Sequence, residues 1–209
     1  MLIRGVIFEG LSQAGKTSTV NELRKLHVQD FESERNIIVL GEHYSQILNK
    51  INGNLVRLTR EEHLNLLDER VAMLEQIYSW TLKLGPASRR ARGIFFIFER
   101  FHLNHRLGFE NEDLSRIENI EERLGKLGAK TILLTISADV LRTRIQSREL
   151  DKWVNSSEND INKACEDFLL SQERLRKHSV NSKIQTIEIN TDERCWNTYA
   201  KKILTIMNE

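Results

Sequence analysis

Near its start the chain runs Gly5-Val6-Ile7-Phe8-Glu9 and then breaks into Gly10-Leu11-Ser12-Gln13-Ala14-Gly15-Lys16-Thr17-Ser18. An apolar run that ends in Gly-x-x-x-x-Gly-Lys-Thr constrains the fold more than any other stretch. Its spacing makes physical sense only between a strand and a helix. Gly10 and Gly15 let the backbone fold into a ring of inward N–H groups, and a helix that starts there points its positive end at the same spot. A polyphosphate fits such a ring. Lys16 can reach the β- and γ-phosphates, the Thr17 hydroxyl can hold the Mg²⁺ that bridges them, and Ser12, Gln13, Ala14 and Ser18 complete the cradle. The stretch from Ser18 to His27, with Val20, Leu23 and Leu26 on one face, supplies the helix.

Bulk properties bound what surrounds this loop. A chain of 209 residues is long enough for one substantial core, so a single domain over 1–209 is expected. Basic residues cluster in Arg89-Arg90-Ala91-Arg92 and in Arg142 to Arg148. They are balanced to a net charge of +1, which argues against nucleic acid as a partner. No long apolar span suggests a membrane. Cys165 and Cys195 show neither metal-type pairing nor a disulfide framework, and with no signal-peptide pattern the chain reads as cytoplasmic.

Four more runs look like strands: Asn36 to Leu40, Ile94 to Phe98, Thr131 to Ile136 and Ile184 to Ile189. Each is short and nearly continuous in Ile, Val, Leu and Phe, as in a parallel sheet covered on both faces, which gives an α/β class. Between them lie helical patterns. Thr59 to Leu84 repeats Leu64, Leu67, Val71, Leu74, Ile77 and Leu82, and Thr59 followed by Glu62 makes a capping box. Shorter helices are expected over about 112–127, 139–149, 158–177 and 192–207. The polar stretch from Glu149 to Asp160 suits a lid, counted over about 142–160 with its arginines.

Ligands of parallel α/β sheets bind at the carboxyl ends of the strands, so residues just after each strand are the first candidates. Glu9 ends the first strand, as an active acid or as a helix-end or loop-bracing carboxylate. Glu42 follows the second and can take a proton from an attacking hydroxyl, orient the acceptor, or stand in solvent. Glu99-Arg100 follows the third. The carboxylate can bind Mg²⁺ and the guanidinium can hold phosphoryl oxygens, unless the two form a structural ion pair. Arg144 and Arg148 share a helix face with Arg142 off to the side, placed to close over a transferring phosphate or to be merely solvated. His102 and His105 lack the spacing of a helical metal pair and read as loop or substrate-facing groups. Trp80, Trp153 and Trp196 read as packing residues, with Trp153 alone placed to meet a ligand.

Taken together these stretches resemble the thymidylate kinase and deoxynucleoside kinase group of P-loop kinases along nearly the whole length. Phe8-Glu9-Gly10 with Ala14-Gly15-Lys16-Thr17 is similar to the group's opening, although thymidylate kinases usually have Asp-Gly at Ser12-Gln13. Glu42 falls where deoxynucleoside kinases carry a base-like Glu, without the Arg and Pro that flank it in thymidylate kinases. Leu66-Leu67-Asp68-Glu69-Arg70 resembles the segment whose Arg contacts the substrate base. Glu99-Arg100-Phe101-His102 resembles the acid-Arg motif after the third strand, lacking the serines and the later Tyr-Gln. Leu141 to Glu149, with Arg144 and Arg148, resembles the lid. The resemblance implies a five-stranded parallel sheet of order 2-3-1-4-5, ATP and Mg²⁺ as cofactors, and frequently a homodimer.

The expected function is ATP-dependent phosphoryl transfer to a nucleoside monophosphate or nucleoside, thymidylate-like acceptors first. Lys16, Glu42, Arg100, Arg144 and Arg148 would be catalytic. Glu42, Arg70 and Arg100 would bind the acceptor, and Thr17 and Glu99 would hold Mg²⁺. A phosphotransferase for a non-nucleotide small molecule, or a relative that binds nucleotide without turnover, would use the same donor site. A guanine-nucleotide switch would need an Asn-Lys-x-Asp loop, and Asn162-Lys163-Ala164-Cys165 lacks the Asp.

Overall fold

The computed structural model describes residues 2–110, 113–148 and 156–208, with the backbone alone for Arg148. In chain order the elements are β1 (Ile3–Glu9), α1 (Lys16–Gln29), β2 (Asn36–Leu40), a 3-10 turn (Glu42–Tyr44), β3 (Leu48–Ile51), β4 (Asn54–Arg57), α2 (Arg60–Lys83) and α3 (Arg89–Arg92). There follow β5 (Ile94–Glu99), α4 (His102–Gly108), α5 (Ser115–Lys126), β6 (Ala129–Thr135), α6 (Ala138–Arg148), α7 (Glu158–Val180), β7 (Thr186–Asn190) and α8 (Trp196–Asn208).

Five strands form one parallel sheet in the order β2-β5-β1-β6-β7. The strand numbers differ from 2-3-1-4-5 because β3 and β4, a separate antiparallel hairpin that the sequence does not announce, take two numbers. Counted over the sheet strands alone, the arrangement is the expected one. β1, which leads into the Gly-rich loop, lies at the centre and is buried throughout.

Strand side chains alternate between faces, and the two faces collect different helices. Val6, Phe8, Phe95, Ile97, Ile132 and Leu134 pack under Val20 and Leu23 of α1, Leu141 of α6 and Ala200 and Ile203 of α8. Ile3, Ile7, Ile94, Phe96 and Phe98 pack under Leu64, Leu67, Val71 and Leu74 of α2 and Ile117, Ile120 and Leu124 of α5. Two-sided burial explains why these strands read as continuous apolar runs. The capping box at Thr59 and Glu62 forms, with each side chain bonding the other residue's backbone N–H.

Two packing expectations need correction. Trp80 is 62% exposed and Leu82 57%, because both lie on the outward side of the last turns of α2, where Ile77, Tyr78 and Thr81 face inward. Residues 149–155 of the expected lid, with Trp153, lie outside the described residues.

Candidate active site

At the carboxyl end of the sheet a cleft of ≈ 420 Å³ opens around the loop between β1 and α1. Its lining includes Ser12, Gln13, Gly15, Lys16, Thr17 and Ser18 from that loop, Glu42 and Arg100 on the β2–β5 side, and Arg144, Arg194 and Trp196 on the β7 side. Four cations and one carboxylate therefore face the cavity, a balance that suits a polyanion. Gly10 and Gly15 adopt φ of 131° and 85°. At Gly15 a Cβ would also stand 2.4 Å from the Trp196 ring, so glycine is required by conformation and by packing.

Lys16 begins α1 and folds back, donating from Nζ to Gly10 O (3.0 Å) and Leu11 O (3.2 Å). Burial, helped by the Arg100 charge, lowers its pKa to about 8. A phosphate in the ring would offer that ammonium charged oxygen in place of neutral carbonyls.

Arg100 joins the loop to the β2 side. Its Nε donates to Glu42 Oε2 (2.7 Å) and its Nη2 to Ser12 Oγ (3.0 Å). Burial alone would raise the Glu42 pKa, but Arg100 and Lys16 outweigh it and hold the carboxyl below its usual range. Glu99 sits behind, 7% exposed and not among the lining residues, and its pKa is raised, chiefly by burial. Glu9 is buried and takes the N–H groups of Phe101 and Leu103 on Oε1, both at 2.9 Å, so of its readings the helix-end carboxylate, at the start of α4, is the one seen.

Several expectations change here. Arg144 is 3% exposed and is no swinging lid arginine, since it donates to Gln13 O (3.2 Å), Thr191 Oγ1 (3.0 Å) and the carbonyls of Thr191 and Asp192. It clamps the Gly-rich loop to the β7–α8 connection while still lining the cleft. The side chain of Arg148 lies outside the described residues. His102 and His105 are neither loop nor substrate-facing. Both are buried in α4, because that helix turns them under itself toward Thr131 and His63. Arg70 pairs with Glu69 at 3.5 Å on α2 and does not line the cleft. Trp196 packs on Gly15 as expected of a packing residue and also faces the cavity.

Arg194 escaped the sequence reading, although the rule that placed Glu42 and Glu99 at strand ends applies equally to the residues after β7. A second signal needs coordinates. Four non-glycine residues among those described have positive φ: Gln13 (69°), Asn52 (50°), Arg100 (53°) and Arg194 (56°). Asn52 belongs to a hairpin turn and the other three line this one cleft. Such backbone costs about 1–3 kcal/mol per residue and gathers where side-chain placement matters more than local stability.

Solved structures share this architecture. The Bacillus subtilis YorR protein, in complex with phosphorylated GDP, aligns over 98% of this chain and 95% of its own at 17% identity, with a TM-score of 0.61. A thymidylate kinase from Ehrlichia chaffeensis aligns over 96% and 98% at 14% identity and a TM-score of 0.54. A shikimate kinase from Bacteroides thetaiotaomicron aligns over 99% of both chains at 14% identity and a TM-score of 0.52. Neither a family model nor a curated protein matches the chain.

Proposed function

We propose that this chain, which has the fold of P-loop kinases, transfers the γ-phosphoryl group of ATP to a hydroxyl of a small acceptor, a nucleoside first. The observation that carries the reading is Glu42: an ionised carboxylate in the phosphate cleft, fixed by an arginine that also touches the Gly-rich loop. A hydroxyl acceptor needs an oxygen base within reach as it attacks. A phosphate acceptor needs none, and its dianion would meet Glu42 with like charge. The surplus of cations in the cleft favours a second reading, transfer to a thymidylate-like monophosphate. The fold neighbours are named for acceptors as different as thymidylate and shikimate.

The donor set fits Mg²⁺, an ion that usually keeps several waters and takes one or two protein oxygens besides phosphate. Thr17 presents a hydroxyl in the cleft, and Glu99, set back behind Glu42, supplies a carboxylate. When bound, the ion would neutralise charge on the phosphates. Lys16 and Arg100 would stabilise the charge that develops on the phosphoryl oxygens, and Arg144 would keep the loop in place.

The test is ADP formation from MgATP across nucleosides, their monophosphates and non-nucleotide alcohols. A hydroxyl acceptor should raise turnover well above the ATP-only rate. Glu42→Gln should lower kcat by about 10²-fold with little change in KM for MgATP. If only monophosphates respond, and Glu42→Gln leaves them unaffected, the hydroxyl reading is wrong.

A further inference from the structure

Behind Glu42 lies a buried chain of polar groups that the reaction does not touch. Ser45 closes the 3-10 turn, with its N–H 3.2 Å from Glu42 O, and Gln46 N–H donates to the same carbonyl at 2.8 Å. The Ser45 hydroxyl donates to Glu99 O, the carbonyl just before Arg100. Ser45 O in turn lies 2.8 Å from His63 Nε2, and His63 Nδ1 lies 2.9 Å from His105 Nδ1. Ser45 and His63 are fully buried and His105 is 2% exposed.

The proton positions follow from the partners. A carbonyl oxygen only accepts, so His63 carries its proton on Nε2. Neutral His63 then has a lone pair on Nδ1, and His105 must donate to it from its own Nδ1. Burial holds both imidazoles below the usual histidine range, His105 at about 3. The resulting chain runs one way, from His105 on α4 to His63 on α2 to Ser45 to the last carbonyl of β5. It links the two segments that present Glu42 and Arg100, and a directional bond through three elements fixes their spacing in a way apolar contact would not.

We propose that His63, held in one tautomer by His105, is the positioning residue for the acceptor side of the cleft, setting the Glu42 turn against Arg100 and so against the Gly-rich loop. This rests on the reading of Glu42 as the carboxylate that meets the acceptor. Glutamine carries its amide N–H at the reach of imidazole Nε2 and asparagine at the reach of Nδ1. His63→Gln can therefore still bond Ser45 O, and His63→Asn cannot, though the two are about equally foreign to the core.

The experiment measures kcat and KM for both variants, together with the ¹⁵N-resolved Nε–H resonance of Arg100, identified by its loss in Arg100→Lys. His63→Gln should stay within about threefold of wild type in kcat, and His63→Asn should lose about 10- to 100-fold, with KM for MgATP within about twofold in both. The Arg100 resonance should remain sharp and slowly exchanging in wild type and His63→Gln and should broaden in His63→Asn. Equal losses in the two variants, or a loss that falls on KM for MgATP, would overturn the proposal. Should wild type show no acceptor-dependent turnover, the kinase reading fails by itself and the Arg100 resonance alone decides on His63. Should the variants not fold, the wild-type imidazole spectrum decides: Nε2–H on His63 with Nδ1–H on His105 supports the proposal, and the opposite pair overturns it.

Discussion

Glu9 shows how one buried carboxyl can be read for both structure and pH. Burial raises its pKa from 4.5 to about 7 against the backbone bonds from Phe101 and Leu103 and the charge of Lys16. The folded state therefore holds a proton that the unfolded chain releases between pH 4.5 and 7, and stability falls as pH rises through that window. Both Phe101 and Leu103 bond the same oxygen, so Glu9→Gln keeps their acceptor and removes the titration. Urea midpoints of the two proteins should diverge in favour of Glu9→Gln between pH 4.5 and 7, by an amount on the order of 3 kcal/mol. Parallel pH profiles would show that Glu9 is already ionised in the fold. Arg100→Lys should cost kcat by about 10²-fold, because a point charge cannot span Glu42 and Ser12 as the guanidinium fork does. Single-turnover rates would check it. The residues whose place around the cleft was legible in the sequence were those set by covalent spacing, as with Ser12 to Ser18, or by position after a strand, as with Glu42 and Arg100. His102 and His105 were misread, and the clamp made by Arg144 at the cleft was not foreseen, because their partners, Thr131, His63 and Thr191, are distant in the chain and only packing brings them together.

Among the elements, those with a strong period were read closely and those without were missed. The helix α2 repeats apolar residues over 24 positions and starts on a complete capping box, so its limits fell within a residue of expectation. Thr59→Ala should lower stability by about 1 kcal/mol, seen in thermal melts, with no change in nucleotide affinity. The hairpin of β3 and β4 offered only a turn signal, Asn52-Gly53. Its strands are mostly exposed, so no apolar alternation marks them. Instead its root is pinned from outside: a Cβ at Gly108 would stand 2.2 Å from Ile47 Cδ1, and Arg57 donates to Gly108 O at 3.0 Å. Gly108→Ala should therefore push the free end of the Ile47 side chain aside at a cost of about 1 kcal/mol or less and modestly speed proteolysis within 48–57. Unchanged cleavage rates would mean that the root is held elsewhere.

For the whole molecule, the order β2-β5-β1-β6-β7 puts the loop strand in the middle and sets two unlike walls on either side of the Gly-rich loop. The Glu42 and Arg100 wall pairs a carboxylate with a guanidinium, and in the Arg144, Arg194 and Trp196 wall Arg144 is clamped to the loop and to Thr191. No described helix is long and apolar enough to cross a membrane. The α/β class was legible because central parallel strands must be apolar on both faces. The tie within the second wall was not, because it joins the middle of α6 to the end of β7, 47 residues apart between Arg144 and Thr191. The measurement that bears most directly on the central claim follows the γ-phosphoryl group itself. With γ-labelled MgATP and a responsive acceptor, the label should appear on an acceptor hydroxyl in step with ADP, and Lys16→Ala should abolish both. Label that passes only to water, at a rate no acceptor changes, would contradict the assignment as a kinase and leave a nucleotide-binding fold with a different task.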